Sequence, residues 1–157
     1  MKNLKKRKKA SSVTLPKLKA KCQELCNEYI RLRDEGQPCI SCGQRKELQA
    51  GHFFAVKGYD SLRFNEDNIN GECASCNCFD ESHLIGYYDN LLIKIGIERM
   101  GELKRKADDY KQNGYKWSRT ELLEKIEYFK EKIKELKWKQ QDNHRQISEK
   151  GKDRRKS

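Results

Sequence analysis

Four cysteines in two pairs carry the plainest chemical signal in the chain. Cys39 and Cys42 stand in the run Cys-Ile-Ser-Cys-Gly, Cys73 and Cys76 in Cys-Ala-Ser-Cys, and 30 residues separate the pairs. A two-residue spacer lets one tight turn offer both sulfurs to the same tetrahedral ion, and thiolates hold zinc at about 2.3 Å. Four sulfur ligands leave no open coordination position, so the expected zinc is structural and contributes folding energy. Cys78, just past Cys76, is read as off the site, though able to stand in for a neighbour. Two of the chain's three histidines flank this frame, His52 after the first pair and His83 after the second, and Asn77 directly follows the last cysteine. An isolated histidine is ordinarily structural. Two of them beside one zinc frame, with an amide adjoining its last ligand, mark a candidate functional site.

The elements that must position these groups can be read from periodicity. Leu18, Cys22, Leu25, Tyr29 and Leu32 recur at steps of four and three, which predicts a helix from Lys17 to about Asp34, ended by Gly36 and Pro38. Cys22 and Cys26 lie one turn apart there and read as core filling. Between the cysteine pairs come a β-prone run around Phe53–Val56, a loop at Gly58 and Asp60, and Leu62-Arg63-Phe64. Residues 84–110 look helical, with Leu84, Tyr87, Tyr88, Leu91, Leu92 and Ile95 expected inside and breaks near Gly96 and Gly101. Ser118-Arg-Thr-Glu121 is a capping box that opens a last helix. Its apolar seam runs Leu122, Ile126, Phe129, Ile133 and Leu136, with Glu121/Lys125 and Glu135/Lys139 as i, i+4 pairs. That seam suits a short dimeric coiled coil or packing back on the domain.

Composition narrows the class. The chain has 157 residues, 35% hydrophobic and 38% charged, too polar for one large core. No apolar run approaches the roughly 20 residues of a membrane span, and no apolar stretch follows the basic N-terminus as in a secretory signal. Seven cysteines, an odd number, point to metal rather than a disulfide framework. The net charge of +11 is uneven: residues 1–21 carry +9, residues 150–157 carry +4, and the body between them −2. Clustered cations of this kind bind polyanions by releasing condensed counterions; the plain alternative is a pair of disordered, solubilising tails.

Gly51-His52-Phe53, Leu62-Arg63-Phe64-Asn65, Asn68-Ile69 and Cys73-Ala-Ser-Cys76-Asn77 together resemble the NinG/Rap recombination nucleases of lambdoid phages. Tyr29–Asp34 and the Pro38–Gly43 knuckle extend the likeness, which covers roughly residues 18–105. More widely, the arrangement is similar to HNH (ββα-metal) nucleases on a treble-clef zinc frame, in plan nearest the phage T4 endonuclease VII type. The resemblance implies an α+β fold, with a small zinc-stapled core flanked by an N-terminal helix and a long C-terminal one. It implies that His52 is the general base that activates water, and that Asn77 is an oxygen ligand of a catalytic Mg²⁺, with Mn²⁺ a substitute. Asn68 matches the central Asn, which more often braces the hairpin loop than touches substrate. Arg63 and Lys57 are the expected phosphate contacts, joined by Lys5, Lys6, Arg7, Lys8 and Lys9 of the basic arm. Two departures stand out. Gly51 occupies a position commonly held by a metal-binding acid, and Asn77 one often held by His. The ion is therefore a ligand short, with His83 the best candidate and Asp60, Asp67 and Glu72 behind it.

This reading divides the chain into a disordered basic arm (1–16), a nuclease-like domain (17–110), a C-terminal helix that is a potential dimerisation element (111–148) and a basic tail (149–157). It implies a branched-DNA substrate such as a Holliday junction or D-loop, a homodimer that presents two sites to opposed strands, no membrane, and the cytoplasm of a bacterial host. The rivals are a non-catalytic zinc module that grips DNA and, less well matched, an interaction domain of the RING or LIM sort.

Overall fold

The computed structural model of the chain describes residues 13–80 and 82–153, the side chains of 144 and 146–153 excepted. Lys5, Lys6, Arg7, Lys8 and Lys9 lie outside the described residues, as do the last four residues of the basic tail. The elements run α1 (Leu15–Arg33), β1 (Leu48–His52), a 3₁₀ turn (Asp60–Leu62), β2 (Ile69–Cys73), α2 (Ala74–Phe79), α3 (His83–Asn113) and α4 (Arg119–Asp153). Helices and one two-stranded antiparallel sheet make an α+β fold.

Several boundaries differ from the sequence reading. Leu15 and Pro16 open α1 instead of closing a disordered arm, because proline in a first helical turn has no backbone N–H to leave unpaired. The strand ends at His52, and Phe53–Val56 is loop. There the buried Asn68 amide accepts from Phe54 N at 2.8 Å and donates to Phe54 O at 3.0 Å, taking up the bonds a ladder would use. The rings of Phe53 and Phe54 instead pack with Tyr87, Tyr88 and Tyr59. In α3 the break is at Gly96 alone (φ 79°, ψ 167°), a left-handed conformation that glycine adopts without strain, whereas Gly101 continues the helix. The kink brings Met100, Leu103 and Ala107 into the cluster that already holds Tyr87 and Leu91. Leu84, expected inside, sits 42% exposed on the first turn.

The capping box forms, with Ser118 N donating to Glu121 Oε2 at 2.8 Å and Glu121 N to Ser118 Oγ at 3.2 Å. Glu121 also accepts from Tyr115 OH, and Glu135 from Lys132, so these two acids serve partners other than the i+4 lysines. The α4 seam packs back on α1: Leu122, Ile126, Phe129 and Ile133 share one buried cluster with Leu18, Cys22, Leu25, Cys26 and Tyr29. Cys22 and Cys26 are wholly buried, and burial pushes both thiols up to about 12, so they are core filling. Trp117 covers the near end of this layer, its ring tilted against Phe64 and its Nε1 donating to Asp60 O at 3.0 Å. Among the described residues, no helix is long and apolar enough to cross a membrane.

Candidate functional site

The Cys39–Gly43 turn closes with Gly43 N donating to Cys39 O at 2.9 Å, and Gly43 takes the left-handed φ of 70° that such a knuckle needs. Cys73 ends β2 and Cys76 lies one turn into α2, so the strand-to-helix junction aims the second pair at the first. The four sulfurs all lie within 4.8 Å of one another, the only such group of three or more metal-ligating side chains among the described residues. An ion with metal–sulfur bonds of about 2.3 Å needs sulfur–sulfur edges of about 3.8 Å. Cys42 Sγ and Cys73 Sγ are 3.9 Å apart. Against its burial, hydrogen bonds from the Cys76 backbone and from the neighbouring thiols hold Cys73 down to about 7, while burial pushes Cys39 and Cys76 up, so it is the spacing of the sulfurs that matches an ion. The donor set therefore fits a metal such as zinc. Cys78 is exposed and bonds weakly to Gln49 Oε1, outside the cluster.

His52 stands at the end of β1, half-buried, with Nε2 3.1 Å from Arg63 O. A carbonyl only accepts, so Nε2 carries the proton and Nδ1 keeps the basic lone pair. Burial lowers the pKa of His52 below its ordinary 6.5, against the pull of the Arg63 carbonyl and with the help of the Arg63 charge. The ring is thus neutral near pH 7, with its basic lone pair on Nδ1. Its backbone is held from the other side by Tyr87, whose buried OH donates to Gly51 O at 2.9 Å. Asn68, fully buried, also donates to Leu62 O at 3.2 Å and so ties the 3₁₀ turn to the loop after His52.

Gly51 and Glu72 explain each other. A Cβ at position 51 would lie 2.2 Å from Glu72 Oε2, so only glycine leaves room for this carboxylate. Glu72 is fully buried; its Oε1 accepts from Ser41 Oγ and lies 2.7 Å from His83 Nδ1. Its other oxygen, Oε2, is buried without a hydrogen-bond partner. Gln49 faces Glu72 across the ladder, and Gln49 Oε1 accepts from Asn77 Nδ2 at 3.2 Å. Strand alternation puts Gln49, Gly51 and Glu72 on one face of the hairpin, so Asn77 and His83 are gathered to that face. The same alternation directs His52, the residue after Gly51, to the opposite face, and among the described residues no hydrogen bond joins it to Asn77 or His83. Asp60 and Asp67, the other candidates for a missing ligand, are engaged by Lys19 and Arg63 and by Arg99. Sequence reasoning named Glu72 only behind His83, beside Asp60 and Asp67; no spacing rule connects residues 41, 51, 72 and 83, which meet only because the knuckle, ribbon and α3 pack together.

The expected DNA contacts are differently placed. Arg63 binds Asp60 Oδ1 at 2.6 Å and Gln23 Oε1 at 3.1 Å, which turns its guanidinium toward α1. Lys57 is exposed on the loop that follows β1. Sequence reasoning overlooked Trp138, 65% exposed on α4 and grouped with Lys130, Lys134, Lys137 and Lys139.

Comparison with known proteins supplies the lineage. A family model described as Bacteriophage Lambda NinG protein matches residues 1–140. The ninG proteins of Escherichia phage lambda and Salmonella phage P22 are each 33% identical over 117 residues, covering 73% of this chain and 55% of theirs. That of Enterobacteria phage H19B is 34% identical over 98 residues, 61% of this chain and 46% of its own. The chain spans about half the length of these curated relatives. No solved structure matches. With the match extending from the first residue through the cysteine frame and most of α4, the chain belongs to the NinG family of bacteriophage proteins.

Proposed function

We propose that this chain is a metal-dependent DNA endonuclease of HNH-like, treble-clef plan, which cuts branched recombination intermediates. The observation that carries the reading is His52: a neutral imidazole, its Nε2–H fixed on the Arg63 carbonyl and its Nδ1 basic, at the end of a ribbon stapled by four cysteines. Cys39, Cys42, Cys73 and Cys76 would hold a structural zinc. His52 Nδ1 accepts the proton of the attacking water, and the carbonyl keeps the ring from rotating as charge develops. Asn77 Oδ1, left free by the bond from its Nδ2 to Gln49, would be the hard donor for a divalent ion. Such an ion, when bound, offsets charge on the pentacovalent phosphate and the departing 3′-oxygen. Buried Asn68 acts on this site through the loop it braces, not by touching substrate.

Branch specificity rests on the family resemblance, and the cationic ends supply affinity without sequence preference. The test is a labelled four-way junction beside a linear duplex of the same sequence, each with Mg²⁺ or Mn²⁺, with EDTA, and with His52→Ala. Metal-dependent, His52-dependent cutting of the junction alone is the expected result. Equal cutting of both substrates removes the branch specificity. Salt-sensitive binding without any cutting leaves a zinc module that only grips DNA.

A further inference from the structure

Glu72 is the feature that the proposed chemistry has not absorbed. It is a fully buried carboxylate beside a zinc ligand, and among the described residues its ion-pair partner is His83. Both hydrogen bonds it accepts fall on Oε1, from Ser41 Oγ and His83 Nδ1, while Oε2 is buried and unpaired. A buried carboxylate satisfied at one oxygen costs free energy unless positive charge stands near it. The arrangement is rigidly built. Gly86, one turn after His83, approaches Ser41 so closely that a Cβ there would meet its carbonyl oxygen at 2.1 Å, and Asn90 Nδ2 donates to Ile40 O at 2.8 Å. These two contacts seat α3 on the first cysteine knuckle and deliver Ser41 and His83 to the same carboxylate.

Because Nδ1 donates to Glu72, the lone pair of a neutral His83 lies on Nε2. The His83 side chain is 19% exposed, against 0% for Glu72, so the pair reaches from the interior to the surface. An imidazole whose far nitrogen donates to a buried carboxylate is the usual outer-shell arrangement of a metal-bound histidine. We infer that Glu72 is the positioning carboxylate of a divalent transition-metal site whose protein nitrogen is His83 Nε2, and that it replaces the acidic side chain Gly51 lacks. The inference rests on the nuclease reading only for the use made of the ion. It also bears on the choice of metal. Mg²⁺ prefers oxygen donors, whereas imidazole suits ions such as Fe²⁺, Ni²⁺ and Zn²⁺ and, more weakly, Mn²⁺, so a first-row transition ion is favoured here over Mg²⁺.

The test uses the full chain with its zinc retained, labelled with ¹⁵N-histidine, and Mn²⁺ as the probe. Paramagnetic broadening should fall selectively on the His83 ring, with the unbound ring in the Nδ1–H tautomer, and excess Mg²⁺ should reverse it poorly. Glu72→Gln should weaken the apparent Mn²⁺ affinity about 10- to 100-fold and relax His83 toward the Nε2–H tautomer, with zinc content unchanged. Gly51→Ala should do the same, since its methyl group must displace Glu72; if that variant does not fold, Glu72→Gln decides. A His83 ring untouched by Mn²⁺, or a Glu72→Gln chain with the wild-type tautomer and Mn²⁺ response, overturns the inference. A DNA-cleavage assay on the same samples separates the two readings. Mn²⁺ on His83 without cleavage keeps the metal site and removes the nuclease. Cleavage whose Mn²⁺ dependence survives His83→Ala removes the metal site and keeps the nuclease.

Discussion

The two histidines of the site differ in what holds them. His52 donates to a neutral backbone carbonyl and is depressed chiefly by burial, so it stays unprotonated to a pH below its ordinary 6.5. If it is the base, the acid limb of kcat/KM should fall below pH 6.5, and the rate should be flat above that limb until another group titrates; a limb well above 6.5 would exclude this histidine. The same shift has a stability consequence. An unfolded chain takes up a proton near pH 6.5 where folded His52 does not, so this contribution is lost as pH falls below 6.5 and is complete above it. His52→Ala should abolish cleavage with DNA binding and melting retained, whereas a parallel loss of binding would mark a structural residue. At the cysteines, Cys39→Ser should release the metal and unfold the domain, as read by metal content and circular dichroism together. A folded, fully loaded variant would show that the four sulfurs are not a structural centre.

At the scale of elements, the most consequential packing is α4 on α1. Phe129 is fully buried, in ring contact with Tyr29 at 5.7 Å and with Tyr128 at 5.3 Å. Phe129→Ala should destabilise the fold by about 3–5 kcal/mol, measured by denaturant unfolding. A loss below about 1 kcal/mol would mean that α4 is not packed on α1 in solution. Tyr29 and Tyr128 also donate to the two oxygens of Glu66, which fastens both helices to the loop before β2. The seam read as suited to either a dimer or a fold-back is thus largely covered within one chain. Heptad periodicity states that a helix has an apolar face, but the partner of that face depends on which other apolar stripe lies within reach. Here it is the α1 stripe that runs from Leu18 to Leu32.

For the whole molecule, charge and packing divide the work. Asp34 is buried at the end of α1, where it joins Arg33, Lys94 and the Gly71 N–H and so binds α1 and α3 to β2. Burial opposes its charge, but the Arg33 hydrogen bond and charge outweigh it and hold the carboxyl below its ordinary 3.8. A depressed carboxylate stabilises the fold above its unfolded pKa, so that contribution should be lost as pH drops below about 4. Asp34→Asn should shrink the acid-induced loss of stability in urea titrations; an unchanged acid limb would show that other groups carry it. The basic arm makes a separate prediction. Thr14 O accepts the first helical bond of α1, from Leu18 N, and Val13 O accepts from Arg119, so deletion should stop at residue 12. Removing residues 1–12 takes away six of the Lys/Arg side chains and should flatten the slope of log binding constant against log salt, with the metal centre intact. An unchanged slope would show that the arm does not touch DNA.

The cysteine frame, the capping box, the helical stripes and the resemblance to NinG proteins were legible from the residues, because each depends on spacing within one short segment or on a motif kept in order. The α+β class followed from the same signals. The extent of β1 was not legible: Phe53–Val56 has the composition of a strand, yet Asn68, fourteen residues on from Phe54, takes its backbone bonds from across the loop. Nor was the role of Gly51, which read as a missing side chain and proves to be the space occupied by Glu72. By itself the sequence determined which residue types could bind metal or carry a proton, and which faces of which helices had to be buried. Only tertiary structure decided that α4 covers α1 and that Ser41, Glu72 and His83 meet behind Gly51, since both depend on contacts between segments whose spacing in the chain carries no record of their distance in space.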